Sequence, residues 1–385
     1  MKYFLIAGEA SGDLHGGRLI KALREADKDS GFCYLGGDFM EKASGAKPVV
    51  HYKKMAYMAF SEVLRHLPEI CGNMRSAKNA LDSFHPDAVI LIDYPSFNLK
   101  IAKYAYKKGI PVYYYISPKV WAWKEWRVKE IKKYVRKVLS ILPFETEFYA
   151  RHNVESDYVG NPTYNEIHEF RQNAPEFLEF VEKHGIRDRR PIIALLPGSR
   201  AGEIRNNLPP MYKAASRFSN FQPIVAAAPN IEKDFYACVL NRNGIKASPL
   251  LVEADTFSLV ANSAAALVTS GTATLETAVI GTPQVVCYRA NGSKLAYKLF
   301  EHILKVPFVS LPNLIANKNV VKELLLHECI PDNIAKELEP LLYDSPQWRA
   351  MCDGYNTVCE KLGKKDSAKE AARIILHDLT PAKVR

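Results

Sequence analysis

The stretch Ile192-Ile193-Ala194-Leu195-Leu196-Pro197-Gly198-Ser199-Arg200-Ala201-Gly202-Glu203-Ile204 constrains the fold more than any other part of the chain. Five apolar residues stopped by Pro-Gly suit a buried parallel strand. Ile204, Leu208 and Met211 then fall on one face of a helix. A strand, a tight loop and a helix in that order point to an α/β fold. Such a loop presents backbone N–H groups at the positive end of a helix, which favours a phosphate, and Arg200 can add a bidentate contact. A simple turn at Gly198 beside a solvated Arg200 fits the same residues.

The pattern recurs along the chain. Tyr3 to Ala7 reads as a strand, followed by a Gly-rich loop through Glu9, Ser11, Gly12 and Asp13 and a helix carrying Leu19, Ile20 and Leu23. That loop lacks a strict G-x-G-x-x-G, so a dinucleotide site is poorly supported. Ala88 to Ile92 is the clearest buried strand of the first half, and it delivers Asp93 to its C-terminal end. Ligands bind at that edge in open α/β sheets. Asp93 is therefore a candidate general base, with a capping role across Pro95 the alternative. Further strands are expected at 111–116, 138–142, 223–228, 248–252, 264–268 and 284–288. In the second half Thr269 runs into Ser270-Gly271-Thr272, whose amides and hydroxyls suit a pyrophosphate, and Glu276 can accept two ribose hydroxyls. Thr272 as an ordinary helix cap fits equally. The chain thus predicts two Rossmann-like, doubly wound parallel-sheet domains, 1–165 and 190–345, joined by a polar helical linker over 163–190 and followed by helices to the end.

The 385 residues are 48% apolar and 24% charged, as expected of a globular protein, and no apolar run approaches the roughly 18 to 20 residues of a membrane span. The short apolar N-terminus, ended by Glu9, argues against a secretory signal. Seven cysteines without a CxxC pair fit reduced thiols; no metal site and no cofactor is expected. The net charge of +10 is concentrated between Lys100 and Lys137, where twelve Lys/Arg face only Glu125 and Glu130. Tyr104, Tyr106, Tyr113, Tyr114, Tyr115, Trp121, Trp123 and Trp126 are interleaved with them, a mixture suited to anionic lipid or nucleic acid. Upstream, Phe60, Val63, Leu64 and Leu67 lie at helical spacing, as either core or a membrane-dipping face.

In order along the chain, AGEASGDLHG (7–16), LIDYPSFN (91–98), YYISPKVWAWKEWRVKEIKK (114–133), ILPFE (141–145), YVGNP (158–162), LLPGSRAGEI (195–204), SGTATLE (270–276) and VSLPN (309–313) resemble the lipid-A-disaccharide synthase family. The resemblance covers most of the chain, and SPKVWAW together with LPGSR and SGTATLE is specific to that family rather than to its fold. It implies a GT-B arrangement in which two Rossmann-like domains face a cleft. The acceptor and membrane lie on the first domain, the UDP-sugar on the second, and helices of about 346–385 return to the first. It further implies inverting transfer from UDP-2,3-diacylglucosamine to 2,3-diacylglucosamine 1-phosphate, giving a β-1,6 disaccharide 1-phosphate and UDP. By the same resemblance Asp93 is the base, and Arg200 with the loop amides stabilises the leaving UDP. Asn313 belongs to the active site through the LPN motif, without an independent argument for its role. Ser96 stands where many relatives carry a second acid, which leaves Asp93 alone in the role. The basic, tryptophan-rich segment with Arg127 becomes a surface for an anionic inner-membrane leaflet, and the protein a cytoplasmic, peripheral one. Nucleic-acid binding becomes the lesser reading, and a homodimer is compatible with the resemblance. Another UDP-sugar enzyme of the same fold, a UDP-N-acetylglucosamine 2-epimerase or the transferase completing lipid II, would share the nucleotide-side glycines and Glu276 but not the tryptophan run.

Overall fold

The apolar runs bounded by Gly and Pro become parallel strands, because strands covered on both faces can bury every side chain. A computed structural model describes residues 1–55, 67–122, 124–289 and 307–380. The chain divides into two units, Met1–Pro162 with Lys364–Arg385, and Thr163–Gly363.

The first unit is built on seven parallel strands: β1 (Lys2–Ala7), β2 (Gly31–Gly36), β3 (Val50–His51), β4 (Ala88–Ile92), β5 (Val112–Tyr115), β6 (Lys137–Ser140) and β7 (Ser156–Tyr158). Their order is β3-β2-β1-β4-β5-β6-β7. Growth runs outward from β1 to β3 and then restarts at β4 on the other side, so the order reverses between β1 and β4. All five residues of β4 are buried, and each fully buried Ile or Leu contributes roughly 1.5–3 kcal/mol. Helix α1 (Ala10–Ala26) and helix α2 (Asp38–Ser44) pack closely together on this sheet. Gly16 and Gly17 permit the approach, since a Cβ on Gly17 would lie 2.9 Å from the Phe39 carbonyl oxygen. The helix Ser367–Leu379 also belongs here. Ala371, Ala372 and Ile375 enter the core beside Leu19 and Leu23, and Asp378 accepts from the Tyr113 hydroxyl at 2.5 Å and the Arg136 Nε at 2.6 Å.

The second unit has six parallel strands: β8 (Ile192–Leu196), β9 (Gln222–Ala227), β10 (Leu250–Glu253), β11 (Ser263–Thr269), β12 (Gln284–Tyr288) and β13 (Lys322–Leu325). Their order, β10-β9-β8-β11-β12-β13, reverses between β8 and β11.

Two expectations about domain extent are corrected. The 163–190 segment is not a linker: its helix Phe177–Lys183 buries Phe180 and Val181 in the core of the second sheet with Ile192 and Ala194. Polar residues around it conceal an apolar face at helical spacing. The helix Pro346–Leu362 likewise stays with the second unit, where Met351 and Tyr355 are buried; only the helix after it joins the first.

Candidate active site

The reversal in each sheet sets two strand ends side by side, and it is there that the motif residues collect. In the first sheet Ala7 pairs with Ile92, so the loop after β1 meets the loop after β4. Gly8 is required at this meeting, because a Cβ there would stand 2.3 Å from the Tyr94 ring. Asp93 and Tyr94 both adopt left-handed backbone conformations, φ 43° and 46°, and neighbouring Ile116 does so at φ 59°. Non-glycine residues hold such conformations at a cost of about 1–3 kcal/mol each, so the surroundings must over-determine them. They do. The Asp93 N–H donates to the Ile116 carbonyl at 3.0 Å, and the Asp93 carbonyl accepts from the Tyr114 hydroxyl and the Asn98 amide, both at 2.7 Å. The Tyr94 hydroxyl is tied to the Met55 carbonyl at 2.7 Å.

The backbone of Asp93 is thus spent, and its carboxyl is presented rigidly. Burial, then the charge of Glu9, pushes that carboxyl up to about 6, with Lys119 opposing. Glu9, the carboxylate whose charge reaches Asp93, also accepts from the Ser11 hydroxyl at 2.7 Å. Ser96 accepts from the Arg127 guanidinium at 3.1 Å.

The other two residues of the predicted acceptor loop do something else. Gly12 is buried with its would-be Cβ 3.2 Å from Ala7 Cβ. Asp13 is 1% exposed and accepts from the amides of Gly37, Phe39 and Met40 at 2.6, 2.9 and 3.2 Å. It is the carboxylate that caps α2, whose own preceding residue is a glycine.

In the second sheet Leu196 pairs with Val268, so the loops after β8 and β11 are neighbours. Gly198 has φ 118°, and a Cβ there would lie 2.6 Å from Glu203. The Ser199 N–H is already taken by Glu203 Oε2 at 3.1 Å. The anion seat expected here is therefore occupied by the chain's own carboxylate. Arg200, 65% exposed, has its guanidinium 3.3 Å from the same side chain. Gly271, with φ 155° and ψ −159°, occupies backbone space open essentially to glycine alone, and it starts the helix Thr272–Ile280 without a side-chain cap. Of its first amides, that of Thr274 donates to the Gly271 carbonyl at 3.2 Å, while those of Thr272 and Ala273 stand where a helix offers no acceptor of its own. The Ser270 hydroxyl, in contrast, donates to the Val309 carbonyl at 3.1 Å, which directs its proton away from any phosphate. Glu276 is half-buried on this helix; burial, then the charge of Glu166, pushes its carboxyl up to about 7.

Asn313 is corrected outright. It is fully buried, its amide donates to the Val321 carbonyl and to Glu323 Oε1, both at 2.9 Å, and its oxygen accepts from the Val320 and Val321 amides at 2.7 and 2.9 Å. Two donors and two lone pairs are all used, so nothing remains for a substrate. Its partner Glu323 also receives the Val309 and Ser310 amides and the Ser310 hydroxyl. VSLPN is therefore a knot tied on Glu323, and through the Val309 carbonyl it holds Ser270.

The expected membrane surface also changes. Phe60, Val63, Leu64 and Trp123, and the side chain of Leu67, lie outside the described residues. Trp121 is buried, stacked edge-on against Phe144 with its indole N–H donating to Glu145 at 3.0 Å. Tyr113, Tyr114 and Tyr115 are core residues of β5. Trp126, 60% exposed with the Arg127 guanidinium stacked on it at 5.5 Å, does face solvent, as does Tyr106. Among the described residues of this segment, Lys108 pairs with Asp82, Arg136 with Asp378, and Lys137 with Glu155 and Asp157.

Sequence reasoning gave no role to Glu145, Glu203 or Glu323. Glu145 is completely buried and burial pushes it up to about 7, even though Trp121 and the Leu142 amide donate to it. An acid inside the apolar ILPFE stretch was the signal available for it. Among the described residues no helix is long and apolar enough to cross a membrane.

Over residues 3–376 the chain is similar to the family model described as lipid-A-disaccharide synthetase. It is 38% identical over 387 residues to the lipid-A-disaccharide synthase of Myxococcus xanthus, covering 100% of this chain and 99% of that one. To the enzyme of the same name from Nitrosococcus oceani it is 36% identical, covering 93% and 92%. Among solved structures it is similar to the UDP-GlcNAc 2-epimerase of Neisseria meningitidis bound to UDP-GlcNAc, with TM-score 0.67 and 13% identity over 98% of this chain and 99% of that one. The calicheamicin glycosyltransferase CalG4 matches with TM-score 0.58 and 16% identity over 98% and 99%. At these identities the structural likeness concerns the fold, which is the GT-B pair of parallel-sheet units.

Proposed function

Because the chain belongs to the lipid-A-disaccharide synthase family, and so is a glycosyltransferase, we propose that it joins UDP-2,3-diacylglucosamine to 2,3-diacylglucosamine 1-phosphate. The products are the β-1,6-linked disaccharide 1-phosphate and UDP. The observation that carries this is the family match over nearly the whole chain.

An acceptor hydroxyl is a poor nucleophile at neutral pH, and Asp93 takes its proton as the new C–O bond forms. With its carboxyl raised to about 6, Asp93 is ionised at pH 7 yet more basic than an ordinary aspartate. As the anomeric carbon becomes oxocarbenium-like, negative charge grows on the departing UDP. Arg200 and the first amides of the helix Thr272–Ile280 stabilise it, and Glu276 holds the ribose. Attack opposite the leaving group inverts the anomeric centre without a covalent enzyme intermediate. Entry of the diphosphate displaces Glu203 from the Ser199 amide. The enzyme works on the cytoplasmic side of an anionic inner membrane, with Trp126 and Arg127 on the lipid-facing surface.

Incubation with the two defined substrates tests this. Release of UDP together with a disaccharide of inverted linkage is expected. Epimerisation of UDP-N-acetylglucosamine, or UDP release without a disaccharide, would overturn the assignment.

A further inference from the structure

On the first unit, between α1 and α2, lies an open groove of about 410 Å³ that the proposed chemistry does not use. Its apolar floor and wall are Leu14, Gly17, Phe39 and Ala43, and its remaining lining is Arg18, Lys21, Arg24 and Lys42. On α1, Leu14, Gly17, Arg18, Lys21 and Arg24 follow the three- and four-residue spacing that places them on one face. Phe39, Lys42 and Ala43 do the same on α2. The floor exists because Gly17 lets the Phe39 backbone approach. Phe39 itself is 53% exposed, a large apolar ring left at the rim.

The lining contains four cations and no carboxylate. Of the acids beside the groove, Asp13 is engaged with the α2 amides and Asp38 with His51 at 3.4 Å. Arg24 is held in place by donating to the Ala43 and Ser44 carbonyls at 2.8 and 2.6 Å, so its charge is fixed at the groove. This lining complements an occupant that is anionic at one end and apolar at the other.

We infer that this groove seats the phosphate of an anionic glycerophospholipid at a bilayer surface, with the first carbons of its chain against Phe39. Its volume fits a headgroup and the start of a chain, and the remainder stays in the bilayer. The inference rests on the reading of the protein as one that works at a lipid surface, and it adds a contact separate from Trp126 and Arg127.

Flotation of the full chain with phosphatidylcholine vesicles, with and without phosphatidylglycerol, tests it. Binding is expected only with phosphatidylglycerol. Lys21→Ala combined with Lys42→Ala should weaken it about tenfold or more, as two lost charges near an anionic surface require. Phe39→Ser should weaken it further. Lys213→Ala with Lys246→Ala, the same loss of charge at exposed positions on the second unit, should leave it unchanged. Equal loss in the two lysine pairs, or no loss in the groove pair, would overturn the inference, as would full competition by inorganic phosphate. Unchanged thermal unfolding of the variants excludes misfolding. With substrates in detergent micelles the groove variants should turn over like the parent. A parent that makes no disaccharide there would count against the proposed reaction and leave the vesicle result standing.

Discussion

At the reversal point of the first sheet, Asp93 leaves β4 with φ 43° and a carbonyl fixed by Tyr114 and Asn98. At that of the second, Gly271 leaves β11 with φ 155° and begins a helix without a side-chain cap. One turn fills its backbone hydrogen bonds so that a single carboxyl is delivered rigidly; the other begins a helix whose first amides have no acceptor one turn back, the feature on which the proposed diphosphate binding relies. Accepting a proton requires a side chain of tuned basicity, whereas stabilising a diphosphate requires several donors already pointing at it. In the reaction proposed above, the same topology serves both halves of the transfer, and the identity of the residue at the turn decides which half.

Asp93→Asn gives the largest expected effect, a fall of roughly 10²–10⁴ in kcat with UDP-sugar affinity retained. Unchanged turnover would remove the proton-accepting role from the first turn. In the parent, only ionised Asp93 accepts the proton, so kcat/KM should drop as pH falls through about 6; Glu9→Gln, which removes the like charge, should move that limb lower. Next in size, Arg200→Ala should cost about 2–4 kcal/mol of transition-state stabilisation. A loss confined to acceptor KM would break the assignment of the second turn to the leaving group. Glu276→Gln should weaken UDP about tenfold or more, the worth of hydrogen bonds to a charged group. Ionised Glu276 is the form that accepts two hydroxyls, so UDP affinity in the parent should fall as pH drops through about 7, and calorimetry should find that dependence flattened in the variant. Glu323→Gln should leave the chemistry in place and act on stability, weakening the knot behind Ser270 by about 1–3 kcal/mol, read as a lower unfolding midpoint.

Most of the sheet architecture is legible in the residues, because a strand buried on both faces must be continuously apolar, as Ala88–Ile92 and Ile192–Leu196 are. The identity of buried polar groups is not. Asn313 and Asp13 stand in distinctive motifs, yet a side chain whose hydrogen bonds are all internal reads the same as one that meets a ligand. The three consecutive tyrosines of β5 resemble a surface cluster beside lysines, and only pairing with β4 and β6 places them in the core. Glu9 gains its meaning from strand order, since no sequence spacing joins residue 9 to residue 93. Helix is expected across 163–190, but the burial of Phe177–Lys183 is not legible, because two buried residues in a seven-residue helix are a weak periodic signal.

The return of residues 367–379 to the first unit has a consequence for synthesis. A ribosome releases residues 1–162 well before the helix that fills part of their core, so Leu19, Leu23 and Tyr115 wait without Ala371, Ile375 and Ser367. The second unit, continuous in sequence from 163 to 363, can close on its own in the meantime. Vectorial folding here runs opposite to the usual N-terminal-first order: the part made first is completed last.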